Sequence, residues 1–294
     1  MSKIKFLVVY HKKAPLIKND DFLPIHAGRA LNDKDEWLVN NTLSDASGDN
    51  ISDKNLVYNE LTAVYWAWKN LDSDYYGLTH YRRQFVFDET TNKKFFTFAN
   101  ENEFLAKINY SHEKVEELLT KYHFFVPKSA IRKSVYEHYK SAHDIKDLDR
   151  AIEIINNDYP EYATACKEYL QGQESYFYNM FLFDKITFCR YCNFIFGVLK
   201  KLEESFETKR MYVSERLTGI FIKQLLLENK RALFLPIAYL ESKEKLSNGI
   251  DNVKKELKLR KQQGKKGIKS FLYAFRPLIK KVLPKFLVSA YRNR

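Results

Sequence analysis

Residues 74–85 read DYYGLTHYRRQF. A short polar turn leads into an aromatic and β-branched run, which ends in a histidine and two arginines. The segment before it, SDKNLVYNELTAVYWAWKNLDSD (52–74), opens on Ser52 or Asp53, both good helix caps. It then places Leu61, Val64, Tyr65, Trp68 and Leu71 at spacings of three and four, the stripe of a core-facing helix. Helix, turn, strand is half of a βαβ unit, so the strand at 75–80 is predicted to be parallel and buried. In open α/β sheets ligands sit beyond the carboxyl ends of strands. His80, Arg82 and Arg83 therefore fall at the expected binding edge.

The rest of the chain fits one large α/β domain with helical additions. KFLVVYH (5–11) is a first strand that would present Tyr10, His11 and Lys12 at its end. FLPIHAG is a second short strand, and FFVP another. Residues 86–110 read as polar and irregular. Helices are expected at Lys114–Lys121, near Lys146–Asn156, from Pro160, over KITFCRYCNFIFGVLKKLEESF and over SERLTGIFIKQLL with Ser214 as cap. GQESYFYNMFLFDK reads as a strand-like aromatic run interrupted by Asn179, and KRALFLPIAYLE as one last strand.

With 294 residues, 45% hydrophobic and 15% aromatic, the chain can bury a sizeable core. Cys166, Cys189 and Cys192 give no disulfide framework and no zinc spacing, which fits a reducing cytosol and buried inert thiols. No secretory signal opens the sequence, and no run approaches the 18 or so apolar residues of a membrane span. There is no GxGxxG, GKS/T or GxSxG motif. His138 and His143 lie about 140° apart on a helix, so they make no metal face.

The net charge of +12 is unevenly spread. Residues 253–294 hold 14 of the 49 Lys and Arg and one of the 37 acids, leaving residues 1–252 near −1. That tail sets Phe271, Leu272, Phe275, Leu278, Ile279, Val282 and Leu283 among lysines, broken at Pro277 and Pro284. A basic amphipathic segment of this kind suits an anionic membrane face, with each lysine adding about 1 kcal/mol. The alternatives are a docked C-terminal helix or an RNA-binding tail; the aromatic and leucine content favours the membrane, and no nucleic-acid partner is expected. The division predicted is 1–250 for the domain and 251–294 for the membrane-associating tail.

Many nucleotide-sugar enzymes of the GT-A kind follow helix, turn and strand with Asp-x-Asp, which holds a divalent ion on the donor diphosphate. In that register this chain has His80 and Arg82. Two cations cannot chelate a metal, but they can neutralise a diphosphate directly. The competing reading pairs Arg82 and Arg83 with acids such as Asp74 or Asp88.

GDNISDKNLVYNELTAVYWAWKN, DYYGLTHYRRQF, VPKSA, HYKSAHDIKDLD, NDYPEY, YNMFLF and SERLTGIF together resemble a family of bacterial capsular and exopolysaccharide glycosyltransferases. That family was first catalogued as a domain of unknown function, and some members look like galactofuranosyltransferases. The similarity runs over residues 3–242. It implies a GT-A-like, Rossmann-type domain with a mostly parallel central sheet. It also implies a UDP-sugar donor and a lipid-linked glycan acceptor; the His80 and Arg82 cations point to no metal cofactor, and the tail to a cytoplasmic protein peripheral on the inner face of the plasma membrane. Carried onto this chain, donor binding falls to Asp49, Asn50, Trp66, His80, Arg82 and Arg83, and the reading of the residues themselves adds Tyr10, His11 and Asn59. Acceptor binding falls to His138, His143, Asn179 and Arg216. Arg82 acts on the departing diphosphate, and Glu174 and Glu215 are the candidate bases of an inverting transfer. Relatives often carry a Glu about seven residues after the Arg, where this chain has Lys223. A non-catalytic glycan- or lipid-binding protein on the same scaffold is the alternative, as is RNA binding through the tail.

Overall fold

The computed structural model describes residues 1–128, 133–176, 178–205 and 212–241. The expected 250/251 boundary and the basic tail lie outside the described residues. In chain order the strands and helices are β1 (Ile4–Tyr10), β2 (Phe22–His26), α1 (Glu36–Asn41), β3 (Leu43–Ser44), α2 (Asn55–Tyr58), α3 (Leu61–Asn70), β4 (Tyr75–His80), β5 (Arg83–Phe85), β6 (Phe95–Phe98) and α4 (Glu101–Ile108). They continue with α5 (His112–Lys121), β7 (Phe124–Pro127), α6 (Val135–Lys140), α7 (Ile145–Asp158), α8 (Ala163–Gln171), β8 (Phe181–Asp184), α9 (Lys185–Ser205), α10 (Ser214–Leu227), β9 (Ala232–Leu235) and β10 (Ile237–Leu240).

Two compact units are present. The larger is residues 1–96 with 107–238 and carries the candidate site. The smaller is 97–106 with 239–294; among its described residues Glu241 N–H donates to Phe98 O at 2.8 Å.

The larger unit is built on a sheet in which β3, β2, β1 and β4 run side by side and parallel. Antiparallel β8 then separates β4 from β7, and β9 pairs parallel to β7. The predicted parallel, buried strand is β4. The connection from β2 to β3 passes through α1 and that from β3 to β4 through α2 and α3. Register aligns Tyr10 with His26 and Val9 with His80, so the carboxyl ends of β1, β2 and β4 form one edge. Gly77 is obligatory in the middle of β4. It pairs with Phe6 of β1, and a Cβ there would stand 2.1 Å from the Phe6 ring.

The aromatic content is core packing. Alternation along β8 puts Phe181 and Phe183 on one face, where they stack at 4.4 Å. Against them α9 turns Phe188, Tyr191, Ile195, Val198 and Leu202, a helical stripe with no exposed member. Cys166 and Cys192 are buried there, and burial pushes the Cys166 thiol up to about 12.

Several local expectations are corrected by tertiary contacts. The helix beginning near Ser52 is broken: α2 ends at Asn59, whose φ is +51, and α3 starts anew at Leu61. Only 181–184 of the aromatic run is strand; Tyr178 and Asn179 form a turn with φ of +77 and +51. Ser214 lies in the first turn of α10, Val213 holds the cap position, and the Ser214 hydroxyl serves another residue. The last strand is two, parted at Pro236, which has no N–H for a ladder. The stretch 86–110 contains β6 and α4.

Candidate functional site

The carboxyl edge of β1 and β4 carries the predicted cations. β4 ends at His80, the chain turns through Tyr81 and Arg82, and β5 returns antiparallel with Arg83 opposite His80. Gln84 Nε2 locks the turn by donating to His80 O at 2.9 Å. The His11 ring lies 5.7 Å from His80 and 5.3 Å from Tyr81. Burial pushes the pKa of His80 well down, and Arg83, His11, Arg82 and Lys12 push it further. His11 is lowered by burial and by Lys12, Arg82 and Arg83. Both imidazoles are therefore held toward the neutral form, by burial first and by positive neighbours after it. Asp74, at the opposite end of β4, accepts Lys3 N–H at 2.7 Å, and Asp88 accepts the Thr90 hydroxyl at 2.6 Å.

Arg83 links this edge to a second group. Its guanidinium carbon sits 4.6 Å from the centre of the Tyr178 ring, a cation–π contact. Tyr178 N–H donates to Glu215 Oε1 at 3.1 Å, and Glu215 Oε2 meets Arg216 Nη1 at 3.2 Å. The Arg216 side chain is 3% exposed and that of Glu215 is 30%. The Glu215 pKa is raised, chiefly by burial and then by Glu60, against the opposing pull of Arg216, Tyr178 N–H and Arg83. Arg216 Nη2 lies 3.1 Å from His138 Nδ1 and its guanidinium 4.8 Å from the Tyr139 ring. Because a guanidinium only donates, His138 accepts at Nδ1 and carries its proton on Nε2. Burial and Arg216 lower the pKa of both His138 and His143.

His138 and His143 do not lie on one helix as expected, because α6 stops at Lys140. The chain turns, and His143 comes back to within 4.9 Å of Tyr139, with its other contact a stack on Tyr212 at 4.6 Å. Both histidines thus share the field of Arg216.

Other candidates have internal tasks. Tyr10 was expected near a uridine, but it is fully buried. Its hydroxyl donates to Pro15 O at 2.7 Å and accepts Ile17 N–H at 2.9 Å, so it shapes the loop after β1. Trp66 was expected to wall a ligand; it is 9% exposed and donates to Ser47 Oγ at 2.9 Å. Asn179, expected to meet acceptor, is wholly buried with both polar atoms occupied by protein. Asp49 and Asn50 lie on the loop after β3, at the carboxyl edge. Asp49 accepts the Tyr65 hydroxyl at 3.2 Å, and Asn50 accepts Ser52 N–H at 3.1 Å. Asn59 is the strained residue between α2 and α3. Glu174 is exposed and accepts only the Tyr176 hydroxyl, at 3.3 Å; it does not join the Arg83–Glu215 group. Lys223 pairs with Glu168 at 2.8 Å.

Two features of this edge carry no signal in the composition of their own segments. Asp45 accepts from Gly28 N–H, Arg29 N–H and the Ser52 hydroxyl, while Arg29 Nε donates to His26 Nδ1 at 2.8 Å. Glu60 joins the Glu215 group through Asn179. The only hint in the sequence was an asparagine interrupting an aromatic run.

Strand order, the antiparallel β8 and a polar carboxyl edge make this a GT-A-like glycosyltransferase fold. The apo structure of the WbbM bifunctional glycosyltransferase is similar, with a TM-score of 0.74 and 28% identity over 82% of this chain. The chain spans 46% of that protein's length, so the likeness concerns about half of it. No curated protein matches the chain. Residues 5–229 match the family described as a domain of unknown function (DUF4422), and the chain belongs to that family.

Proposed function

We propose that the chain transfers a hexose from a UDP-sugar to a lipid-linked capsular, exopolysaccharide or O-antigen precursor, with galactofuranose the first sugar to test. The observation that carries this reading is the mutual repulsion at the carboxyl edge of β1 and β4. His11 and His80 are depressed by burial and by the same two arginines. A diphosphate placed there relieves that repulsion, and the planar forks of Arg82 and Arg83 suit its oxygens. As the sugar–phosphate bond breaks, negative charge grows on the leaving group, and positive groups already in position stabilise it. His80 orients the diphosphate and His11 lies toward the nucleoside.

In an inverting transfer the acceptor hydroxyl gives its proton to a carboxylate. Glu215 takes that role, because its raised pKa makes it a stronger base and Arg83 ties it to the donor edge. Arg216, His138 and His143 face the acceptor. Among the described residues no three His, Cys, Asp or Glu side chains are grouped to hold a metal ion. The reading assigns the work of a divalent ion to the cations of the edge.

A thermal-shift screen of nucleotide sugars, run with Mg²⁺ and with chelator, tests this. At a hundredfold excess over Kd a bound donor stabilises by about 2.7 kcal/mol, or roughly 5–10 °C in Tm for a chain of this size. A UDP-sugar should give that shift equally under both conditions, and transfer should survive chelation. No shift with any nucleotide sugar refutes the function; a shift only with Mg²⁺ refutes the metal-independent course.

The tail and the acceptor place the protein, in this proposal, on the cytoplasmic face of the plasma membrane. Among the described residues no helix is long and apolar enough to cross a membrane. Removing residues 253–294 should abolish flotation with phosphatidylserine-type anionic vesicles and leave donor binding intact. Vesicle binding that persists, or a tail that binds RNA and not vesicles, sinks the anchoring role.

A further inference from the structure

The turn at Tyr178 and Asn179 grips two carboxylates at once. Tyr178 N–H donates to Glu215 Oε1 at 3.1 Å. The next residue, Asn179, donates from Nδ2 to Glu60 Oε1 at 2.7 Å. The same amide nitrogen reaches Ser214 Oγ at 3.3 Å, and Asn179 Oδ1 accepts the Thr218 hydroxyl at 2.7 Å. A carboxylate only accepts, so Glu60 fixes which end of the amide faces it.

This clamp is costly to build. Tyr178 and Asn179 both hold positive φ, and so does Asn59, immediately before Glu60. Three of the five described non-glycine residues with positive φ therefore meet at one place, and such strain persists only where the surroundings enforce it. Glu60 stands at the start of α3, where an acid usually caps the free N–H groups, yet its side chain makes no cap. Instead it lies where its charge opposes ionisation of Glu215. Ordinary packing gives no reason to bring two acids together, and like charges at close range disfavour each other. Among the described residues the groups that act on Glu215 are Glu60 from the start of α3, Arg83 from β5, Tyr178 N–H from the turn, and Arg216 from its own helix.

We infer that Glu60, pinned by Asn179, is a positioning residue that acts as the electrostatic partner of Glu215 in proton transfer. The inference rests on the reading of Glu215 as base. In the step concerned the acceptor O–H bond breaks and its proton passes to the Glu215 carboxylate. The acceptor oxygen forms the bond to the anomeric carbon, and the sugar–phosphate bond breaks with its electron pair leaving on the diphosphate. The Glu60 charge makes Glu215 a better proton acceptor than burial alone would.

The test compares wild type with Glu60→Gln, which keeps the shape and can still accept from Asn179. The Glu215 carboxyl is titrated by ¹³C NMR, assigned with Glu215→Gln, and the pH dependence of kcat is followed in parallel. In Glu60→Gln the Glu215 titration and the acidic limb of kcat should both move to lower pH. Turnover on the plateau should fall about tenfold, and the donor-induced thermal shift should not change. Asn179→Ala should move the limb in the same direction, and adding it to Glu60→Gln should move it no further. An unmoved Glu215 titration overturns the pairing, and a moved titration with an unmoved limb overturns its use in catalysis. If wild type turns over no nucleotide sugar, the transferase reading itself falls and takes this inference with it, a result that neither of the other two outcomes resembles.

Discussion

Arg82→Ala should lower kcat for transfer by about 10²–10³ or more while leaving the fold intact. Removing one preorganised group that stabilises developing negative charge typically costs that much, and Arg82 stands where charge would grow on the leaving diphosphate. It lies in the turn between β4 and β5, not in the core stripe of either strand. Truncation therefore opens no large cavity. It also removes one positive neighbour from His11 and His80, so both imidazoles should titrate higher in the variant. That gives a readout by NMR that needs no activity. Arg82→Lys keeps the charge but loses the planar fork, and should fall between the two. Normal turnover in Arg82→Ala, with the histidine titrations unmoved, would remove the argument for a cationic diphosphate site.

The second large effect is expected at Asp45, for stability. This carboxylate is completely buried. It accepts Gly28 N–H at 2.8 Å, Arg29 N–H at 3.0 Å and the Ser52 hydroxyl at 2.5 Å. Ser52 Oγ in turn accepts Ala30 N–H at 3.0 Å. One side chain thus ties the segment after β2 to the segment after β3. Gly28 is needed there: its φ is +79, and a Cβ would come within 2.5 Å of Asn55. Asp45→Ala strands at least two buried donors at about 1–3 kcal/mol each. The expected loss is about 3–5 kcal/mol, or roughly 10 °C in Tm, with donor binding weakened as the edge loosens. Asp45→Asn keeps the shape and one acceptor and should lose less. Urea denaturation of the variants measures this; a loss below 1 kcal/mol for Asp45→Ala would show that the donors find other partners.

The legible parts of this protein were those set by short-range pattern. Strand β4 announced itself by a polar turn, a β-rich run and three basic or aromatic residues at its end. Helix α9 showed its stripe over 21 residues. In both cases the burying face is decided within a few turns or a few residues of the chain itself. The places that misled are those where a distant residue intervened. A helix pattern runs unbroken through 52–71, yet the chain kinks at Asn59. Glu60 is held by Asn179, 119 positions away. Tyr10 and Trp66 have the chemistry of ligand contacts, and burial turned them to bracing loops. Asn179 reads as a polar residue for a sugar, and three protein partners consumed its amide.

By itself the sequence determined an alternation of helices and strands, a buried parallel β4, and a basic cluster at its carboxyl end. Those features follow from periodicities of two and 3.6 residues, which any short window contains. Only the tertiary structure decided that β8 enters antiparallel between β4 and β7, that Arg216 meets His138 and lowers both His138 and His143, and that the neighbours Tyr178 and Asn179 hold Glu215 and Glu60. Each of those joins segments tens of residues apart or more, through a side-chain hydrogen bond, a charge interaction or a strand pairing. No local pattern encodes such a meeting, because the energy that selects it exists only once the chain has folded.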